Sequence, residues 1–428
     1  MRIQGTEVFL IPLDRVSEFE VPEGIRILYS PLKDELALVP PGDEWKELMD
    51  DFYYPEVKKA DVGILYREPD HISVIPNLSC NFSCSYCYSA KGRSNSFLSW
   101  ESAKTALEYF IDRNRINSSQ IHLFITGGGE PLLTWDLVLR IIRYAKQRCE
   151  SLGFHLFCSI VTNGSLITKA IAKSLSEEGV SCCVSFEVLP ELQSDQRAQY
   201  NLVSHNIRLL LDYKVRTLLN STVTPSSVCF LAEMVKAVSD LYPGIAQYTL
   251  EPVTSMDLFQ NDNDIKNFYD SFFKNYLEAR NLADQLHVPL RFTFDDAFRG
   301  SLIRHCPGKF CLTPQGSVSI CHLASSPKES RYKRCTYGQI KDGRVIIDKH
   351  KRQELLDINI FSRPSCKDCF AKWCCGGECL ARQDMYPSSY MDVVCDFNRR
   401  FIKHLLIKRI EQQIFESEGV SLNEYVNR

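Results

Sequence analysis

The sequence predicts an α/β fold: an incomplete (β/α)6 barrel, preceded by a small N-terminal strand-and-helix segment and followed by a cysteine-rich C-terminal domain. Three observations carry this expectation. Apolar strands alternate with amphipathic helices through six units between residues 72 and 253, the pattern of parallel βαβ connections. Six units are too few to close the eightfold barrel, so one side stays open and would admit a large substrate. Twelve of the 18 cysteines fall into three groups, at 80–87, 306–321 and 366–395.

The elements follow in chain order. Residues 1–70 read as the strands "TEVFLIPL", "GIRILYS" and "ELALVPP", then a short helix "DEWKELMDDFY" bounded by proline-containing breaks. The barrel, 71–260, offers the strands "ISVIPNL", "IHLFITGG", "LFCSIVTNG", "SCCVSFEV", "TLLNSTVTP" and "QYTLEPV". Between them run helical stretches such as "SWESAKTALEYFIDRN" and "TWDLVLRIIRYAKQRCESLG". Residues 261–300 are a helical linker built on the long helix 264–286. Residues 301–400 form the cysteine-rich domain, low in regular periodicity. A closing helix, beginning in "DFNRRFIKHLLIKRIEQQIFES", occupies 401–428.

Composition narrows the function. The 428 residues exceed one ordinary domain, and 44% hydrophobic with 24% charged residues is ordinary for a globular protein. No apolar run reaches the roughly 18 residues of a membrane span, and the N-terminus is too acidic for a signal peptide. A cytoplasmic protein with no membrane partner follows. A net charge of -3 with scattered Lys and Arg gives no reason to expect nucleic acid. In a cytosolic chain so many cysteines point to metal or catalysis rather than disulfides. Cys149, Cys158, Cys182, Cys183, Cys229 and Cys335 lie outside the spaced motifs and read as packing.

"SCNFSCSYCYS" places Cys80, Cys84 and Cys87 directly after the first barrel strand, at the end where parallel barrels gather their active sites. Four thiolates would close a tetrahedral zinc site or complete a cubane iron–sulfur cluster. Three leave one metal corner for another ligand, although by themselves they also fit half of a structural zinc site. "TGGGEPLL" ends the next strand. Its glycines let a ligand approach the backbone, and Glu130 can accept hydrogen bonds from a cation. "TNG", residues 162–164, ends the third strand.

Cys80-x3-Cys84-x2-Cys87 with Tyr86 before the last cysteine, Gly128-Gly129-Glu130, and the polar strand ends together resemble the radical S-adenosylmethionine (SAM) enzymes. The resemblance implies that the three thiolates hold a [4Fe–4S] cluster whose fourth iron binds the amino and carboxylate groups of SAM. Reductive cleavage then yields a 5′-deoxyadenosyl radical that abstracts a hydrogen atom. It further implies that Gly128, Gly129 and Glu130 hold the SAM amino group and that the Tyr86 backbone faces the adenine. Ser159 and Asn163 would contact the carboxylate and ribose. Ser185 opens "SFEVLPELQSDQR" where relatives often read "SIDG…R". Glu187 replaces the usual Asp and no Gly follows, but Arg197 remains and would pair with the SAM carboxylate. For these polar residues, turn chemistry is the alternative.

In the C-terminal part, Gly316 sits in "TPQGSV", a hairpin turn that would bring Cys306 and Cys321 to one side. The run Cys306-x9-Gly316-x4-Cys321, then Cys366-x2-Cys369-x5-Cys375-x3-Cys379 and finally Cys395, resembles the SPASM extension, which binds two auxiliary [4Fe–4S] clusters. By that resemblance Cys306, Cys321 and Cys379 serve the nearer cluster, and Cys366, Cys369, Cys375 and Cys395 the distal one. Some relatives add a cysteine ahead of the one matching Cys306; this chain has Gly300 and no cysteine there. Either Cys311 completes the nearer cluster, the preferred assignment, or one iron is open. Cys374 is the off-register alternative to Cys375. Paired structural zinc sites are the rival, and they leave residues 80–130 unexplained.

Auxiliary clusters of this type are found in enzymes that oxidise peptides or protein side chains, where they offer the second electron a way out. "GIRILYSPLKDELALVPPGDEWKEL" resembles the front segment of maturases for ribosomally made peptides, in which a sheet edge can receive a leader peptide as an added strand. A simple cover for the open barrel is the alternative. The resemblance therefore implies a peptide maturase installing a thioether, C–C or C–O cross-link, or a dehydrogenation. Its partners would be a precursor peptide with a leader and a flavodoxin- or ferredoxin-type electron donor. The second expectation is an anaerobic sulfatase-maturating, formylglycine-forming enzyme. Those enzymes place an Asp after the cysteine matching Cys321, where this chain has His322, a candidate base. The third is a zinc-binding scaffold without activity.

Overall fold

A computed structural model describes residues 1–13, 21–64 and 70–428, so the expected N-terminal segment falls partly outside the described residues. Strands β1 (Phe9–Pro12), β2 (Arg26–Ser30) and β3 (Glu35–Val39) form an antiparallel sheet in that order. Alternate side chains point to opposite faces of a strand, and both faces are used here. Phe9, Ile11, Ile27, Tyr29 and Leu36 join the main core, while Val8, Leu10, Leu28 and Val39 pack with Phe52 in a small second core. The helix expected over 43–53 is only a 3-10 turn, Glu44–Lys46, and one α-turn, Met49–Phe52. Neither has a side-chain cap, which leaves the first backbone N–H groups without that support.

Seven further strands follow: β4 (His71–Val74), β5 (Gln120–Ile125), β6 (His155–Thr162), β7 (Ser181–Ser185), β8 (Thr217–Val223), β9 (Gln247–Pro252) and β10 (Leu290–Arg291). They pair in parallel and in sequence, β4 to β10. The six expected barrel strands are β4 to β9. One face of this sheet is apolar and buried, with Ile72, Leu123, Ile160, Val184, Leu219 and Leu250 fully covered. Register places Phe124, Ser159, Cys183, Asn220 and Thr222 on the other, concave face. Ser99 and Thr168 cap the connecting helices Trp100–Phe110 and Lys169–Glu178 by accepting from the third residue on.

Beyond the helix Asp262–Gln285, the chain returns to the opposite edge of the same sheet. β11 (Phe310–Leu312) pairs parallel with β4 and antiparallel with β12 (Ser317–Ser319), and β13 (Thr336–Lys341) and β14 (Arg344–Ile347) extend it. Eleven strands thus form one sheet that crosses the 261–300 segment read as a linker. β11 and β12 have three residues each, too short to show periodicity, which is why this region looks irregular in sequence. The closing helix is longer than expected, Ser388–Glu418, and ends on Gly419 with φ 69°, a left-handed cap that glycine adopts without strain. Among the described residues, no helix is long and apolar enough to cross a membrane.

Candidate active site

The C-terminal ends of β4 to β9 open into one cavity of about 550 Å³, within the range of roughly 300–1,000 Å³ usual for cofactor and substrate sites. Cys80, Cys84 and Cys87 line it together with Tyr86, Gly128, Gly129, Glu130, Asn163, Ser185, Arg197 and His322. Ser159 does not; it lies on the concave face of β6, one pleat further from the strand end than Val161, which does line the cavity.

The loop of three thiols is held by its neighbours rather than by its own secondary structure. Gly129 N–H donates to Asn77 O (3.0 Å) and Glu130 N–H to Ser79 O (2.7 Å). A Cβ on Gly129 would overlap the Ser79 carbonyl. The close approach these glycines permit is therefore that of the chain's own segment 77–79. Glu130 accepts from Leu132 N and Thr162 Oγ1 on one oxygen and from Asn163 N on the other, at 3.0, 2.6 and 2.7 Å. These bonds take up most of its lone pairs and tie the end of β5 to that of β6. Asn163 Nδ2 donates to Asn81 Oδ1 (2.9 Å), fastening the thiol loop to the same strand end.

Two guanidinium groups flank the thiols. Arg93 Nη2 stands 3.4 Å from Cys87 Sγ. Burial raises the Cys80 and Cys84 pKa values, while Arg93 beside Cys80 and Arg197 beside Cys84 favour the thiolate, the form a metal binds. Arg197 Nη1 donates to Tyr86 OH (2.6 Å), and Tyr86 OH donates to Glu187, so the three form a buried chain. Arg197 Nε is buried without a hydrogen-bond partner, although its side chain faces the cavity. An unmet cationic donor beside three thiols suits a ligand carrying a carboxylate, as SAM does. The residues present fit a three-thiolate cluster with SAM.

His322 lies 3.4 Å from Lys309 Nζ through its Nδ1. Burial first, then Lys309 and Arg331, push its pKa down to about 3, so the imidazole is neutral. Cys183, read from sequence as packing, also lines the cavity, as do Asn220, Thr222 and Glu251, which no sequence motif singled out. Their signal was present, because polar residues alternate with apolar ones along β7, β8 and β9. Burial pushes Glu251 up to about 7 despite a 2.6 Å bond from Thr293 Oγ1.

In the C-terminal region thiols stand near one another in two places. Cys366, Cys369, Cys375 and Cys395 line one small closed cavity with Lys372 and Asn398. Cys374 points elsewhere, with its Sγ 3.4 Å from Tyr29 OH. Burial holds Cys321 well above its usual pKa, and Cys379, Cys311 and Cys335 add to the rise in that order. Cys306 acts similarly on Cys311. Cys335, read from sequence as packing, thus belongs to the surroundings of the Cys306, Cys321 and Cys379 group. Cys311 is fully buried on β11, opposite Ser319 and beside Ser73. Among the described residues, no three His, Cys, Asp or Glu converge as they would on a single metal ion.

The N-terminal sheet packs against this C-terminal region. Buried Glu7 accepts from Lys372 Nζ (2.8 Å) and Trp373 Nε1 (2.9 Å), between two of the distal cysteines. Among the described residues, none before Cys80 lines the cavity.

Residues 74–225 match the Radical SAM superfamily. A Methanocaldococcus jannaschii protein of uncharacterised role is 28% identical over 170 residues, 37% of this chain and 54% of its own length, so the chain spans about half of that curated relative. A cysteine-type anaerobic sulfatase-maturating enzyme of Clostridium novyi is 22% identical over 362 residues, 77% of this chain and 93% of the relative. The radical SAM cyclopropyl synthase TigE of Paramaledivibacter caminithermalis is 30% identical over 129 residues, 27% of this chain and 26% of its own. Among solved structures, anSMEcpe with bound AdoMet gives a TM-score of 0.62 at 17% identity, covering 78% of this chain and 98% of that one. SuiB of Streptococcus suis bound to S-adenosylmethionine gives 0.53 at 14% identity, covering 86% and 97%. Both have also been solved with peptides, Cp18Cys on anSMEcpe and the precursor SuiA on SuiB. At these identities the structures establish a common fold.

Proposed function

Starting from a chain that carries a radical SAM domain in a fold shared with SPASM-type radical SAM enzymes, we propose that it is a peptide maturase installing an oxidative cross-link or dehydrogenation. The observation that carries this reading is the N-terminal sheet. Among the described residues β3 pairs only with β2, so no strand occupies its outer edge, where a leader peptide would add as one. The fold implies SAM and a [4Fe–4S] cluster, which when bound supply a hydrogen-abstracting radical. Cys80, Cys84 and Cys87 would hold that cluster, with Arg93 and Arg197 offsetting the thiolate charge. Asn163, Ser185 and Arg197 would position SAM, while Asn220, Thr222 and Glu251 form the wall that faces substrate. A substrate that has lost one hydrogen atom must lose a second electron to become an oxidised product. Cys366, Cys369, Cys375 and Cys395 in one group, and Cys306, Cys321, Cys379 and Cys311 in the other, would hold the clusters that take it. A flavodoxin- or ferredoxin-type protein would serve as donor.

Sulfatase maturation is the second reading, favoured by the long alignment to the Clostridium novyi enzyme. His322 stands where those enzymes are expected to carry Asp, and its neutral imidazole beside Lys309 differs from a carboxylate base. Co-expression with the short open reading frames beside its gene, followed by mass spectrometry, separates the two. Loss of two hydrogens from a leader-bearing peptide, abolished when the leader is removed, is the expected result. Formylglycine on a sulfatase peptide, with no change in any neighbouring peptide, would overturn it.

A further inference from the structure

The chain has a net charge of -3, yet residues 328–353 hold nine Lys and Arg against three Asp and Glu. One of those acids, Glu329, is buried. Lys328, Lys333, Arg334, Arg344 and Lys349 are exposed. Lys351 Nζ donates to Lys333 O at 2.5 Å, which sets the basic turn Tyr332–Cys335 beside the basic helix Lys349–Leu356. At the tip of the β13–β14 hairpin, Lys341 is directly opposite Arg344. Like charges in that position destabilise a sheet, and one or two would suffice to protect an edge strand.

This face lies against two of the three thiol groups. Lys333 is exposed on the same helical turn that carries Cys335 inward, where Cys335 is 1% exposed, while the neighbouring Arg334 pairs with Asp384. Ile320 N–H donates to Cys335 O (2.9 Å), placing Cys335 beside the strand end that leads to Cys321. At the other flank, Lys328 Nζ donates to Arg93 O (3.1 Å), and Arg93 reaches Cys87 Sγ. Arg331 spans both, donating to Leu323 O (2.6 Å) and to Tyr88 O (3.5 Å). A partner seated here would come within a few residues of the first and second thiol groups together.

We propose that the face from Lys328 to Arg352 is the docking surface for an acidic protein that carries single electrons, exchanging them through the group formed by Cys306, Cys321 and Cys379. The proposal rests on reading that group as a cluster site. Each encounter moves one electron and makes no bond: a cluster reduced by the substrate's electron is reoxidised as a flavodoxin semiquinone becomes hydroquinone, and the same path run in reverse lets the hydroquinone reduce the cluster. Complementary charge accelerates such encounters and makes them sensitive to salt.

The test uses the anaerobically reconstituted full chain and an acidic flavodoxin. Affinity is measured by calorimetry at low and high salt, and cluster reduction is followed with flavodoxin hydroquinone or the methyl viologen radical cation as donor. Binding that weakens at least tenfold with salt, and again in a K333E/R344E/K349E variant, is expected. The variant should also be reduced more slowly by flavodoxin but at the wild-type rate by the viologen. Equal affinity and equal flavodoxin rates in both proteins would overturn the proposal, as would capture of duplex DNA without flavodoxin binding. If the variant does not fold, the salt dependence of the wild type decides alone. A chain that takes up no iron yet binds flavodoxin in this way would contradict the cluster reading and leave the surface assigned.

Discussion

Cys80, Cys84 and Cys87 stand in an open cavity of about 550 Å³ among strand ends and two guanidinium groups, whereas Cys366, Cys369, Cys375 and Cys395 close around a small void beneath the N-terminal sheet. The first group has three thiols and a large neighbouring space; the second has four and almost none. A group with a missing ligand and room beside it is built to bind and transform a molecule. On the proposed reading, a group of four thiols with almost no space beside it would hold a cluster permanently, for electron transfer or for stability.

The largest effect should come from the open group. Cys84→Ala is expected to abolish SAM cleavage and to lower bound iron by about a third, from about twelve per chain to about eight if each group holds a four-iron cluster. Chemical iron analysis and chromatography of 5′-deoxyadenosine check this. Within the closed region the contrast is between adjacent residues. Cys375→Ala should lose about four irons, while Cys374→Ala, which removes only the contact to Tyr29, should keep all of them. Equal losses would mean that the cavity assignment is wrong. Parallel changes at Cys311 and Cys335 ask which thiol completes the remaining group: loss of iron is expected for Cys311→Ala and retention for Cys335→Ala.

A smaller effect is expected where the N-terminal sheet meets the closed group. Glu7 and Lys372 are 1% and 5% exposed, and breaking a buried pair by removing one partner costs about 3–5 kcal/mol. Glu7→Gln should lower stability to denaturant by that order and speed loss of distal iron, with the open group unaffected. The smallest effect is a pH slope. Burial raises Glu251 from 4.5 to about 7, so the folded protein holds this proton more tightly than the unfolded chain. Its contribution favours folding fully below about pH 4.5 and is lost as pH rises through about 7. Glu251→Gln should flatten stability against pH across that window and change it little elsewhere.

Much of this contrast was legible in the sequence because cysteine spacing survives without tertiary information. The six barrel strands were legible too, since each carries a buried apolar face and is followed by an amphipathic helix or a polar turn. What escaped was whatever depended on partners distant in sequence. β11 and β12 are too short to announce themselves, and only the pairing of β11 with β4 makes β11 to β14 one sheet with the barrel. Cys335 looked like a core residue because nothing in its own neighbourhood, "YKRCTY", has metal spacing. The partners that hold Glu130, Thr162 and Asn163, are more than thirty residues away and could not be read from its own neighbourhood. The basic face was hidden for another reason: a near-neutral total averages it away.

The most direct test of the account is iron and acid-labile sulfide per chain after anaerobic reconstitution, followed by addition of SAM and dithionite. About twelve irons with matching sulfide, and 5′-deoxyadenosine formed only when SAM and reductant are both present, is the predicted result. Zinc in place of iron, with no 5′-deoxyadenosine, would contradict it.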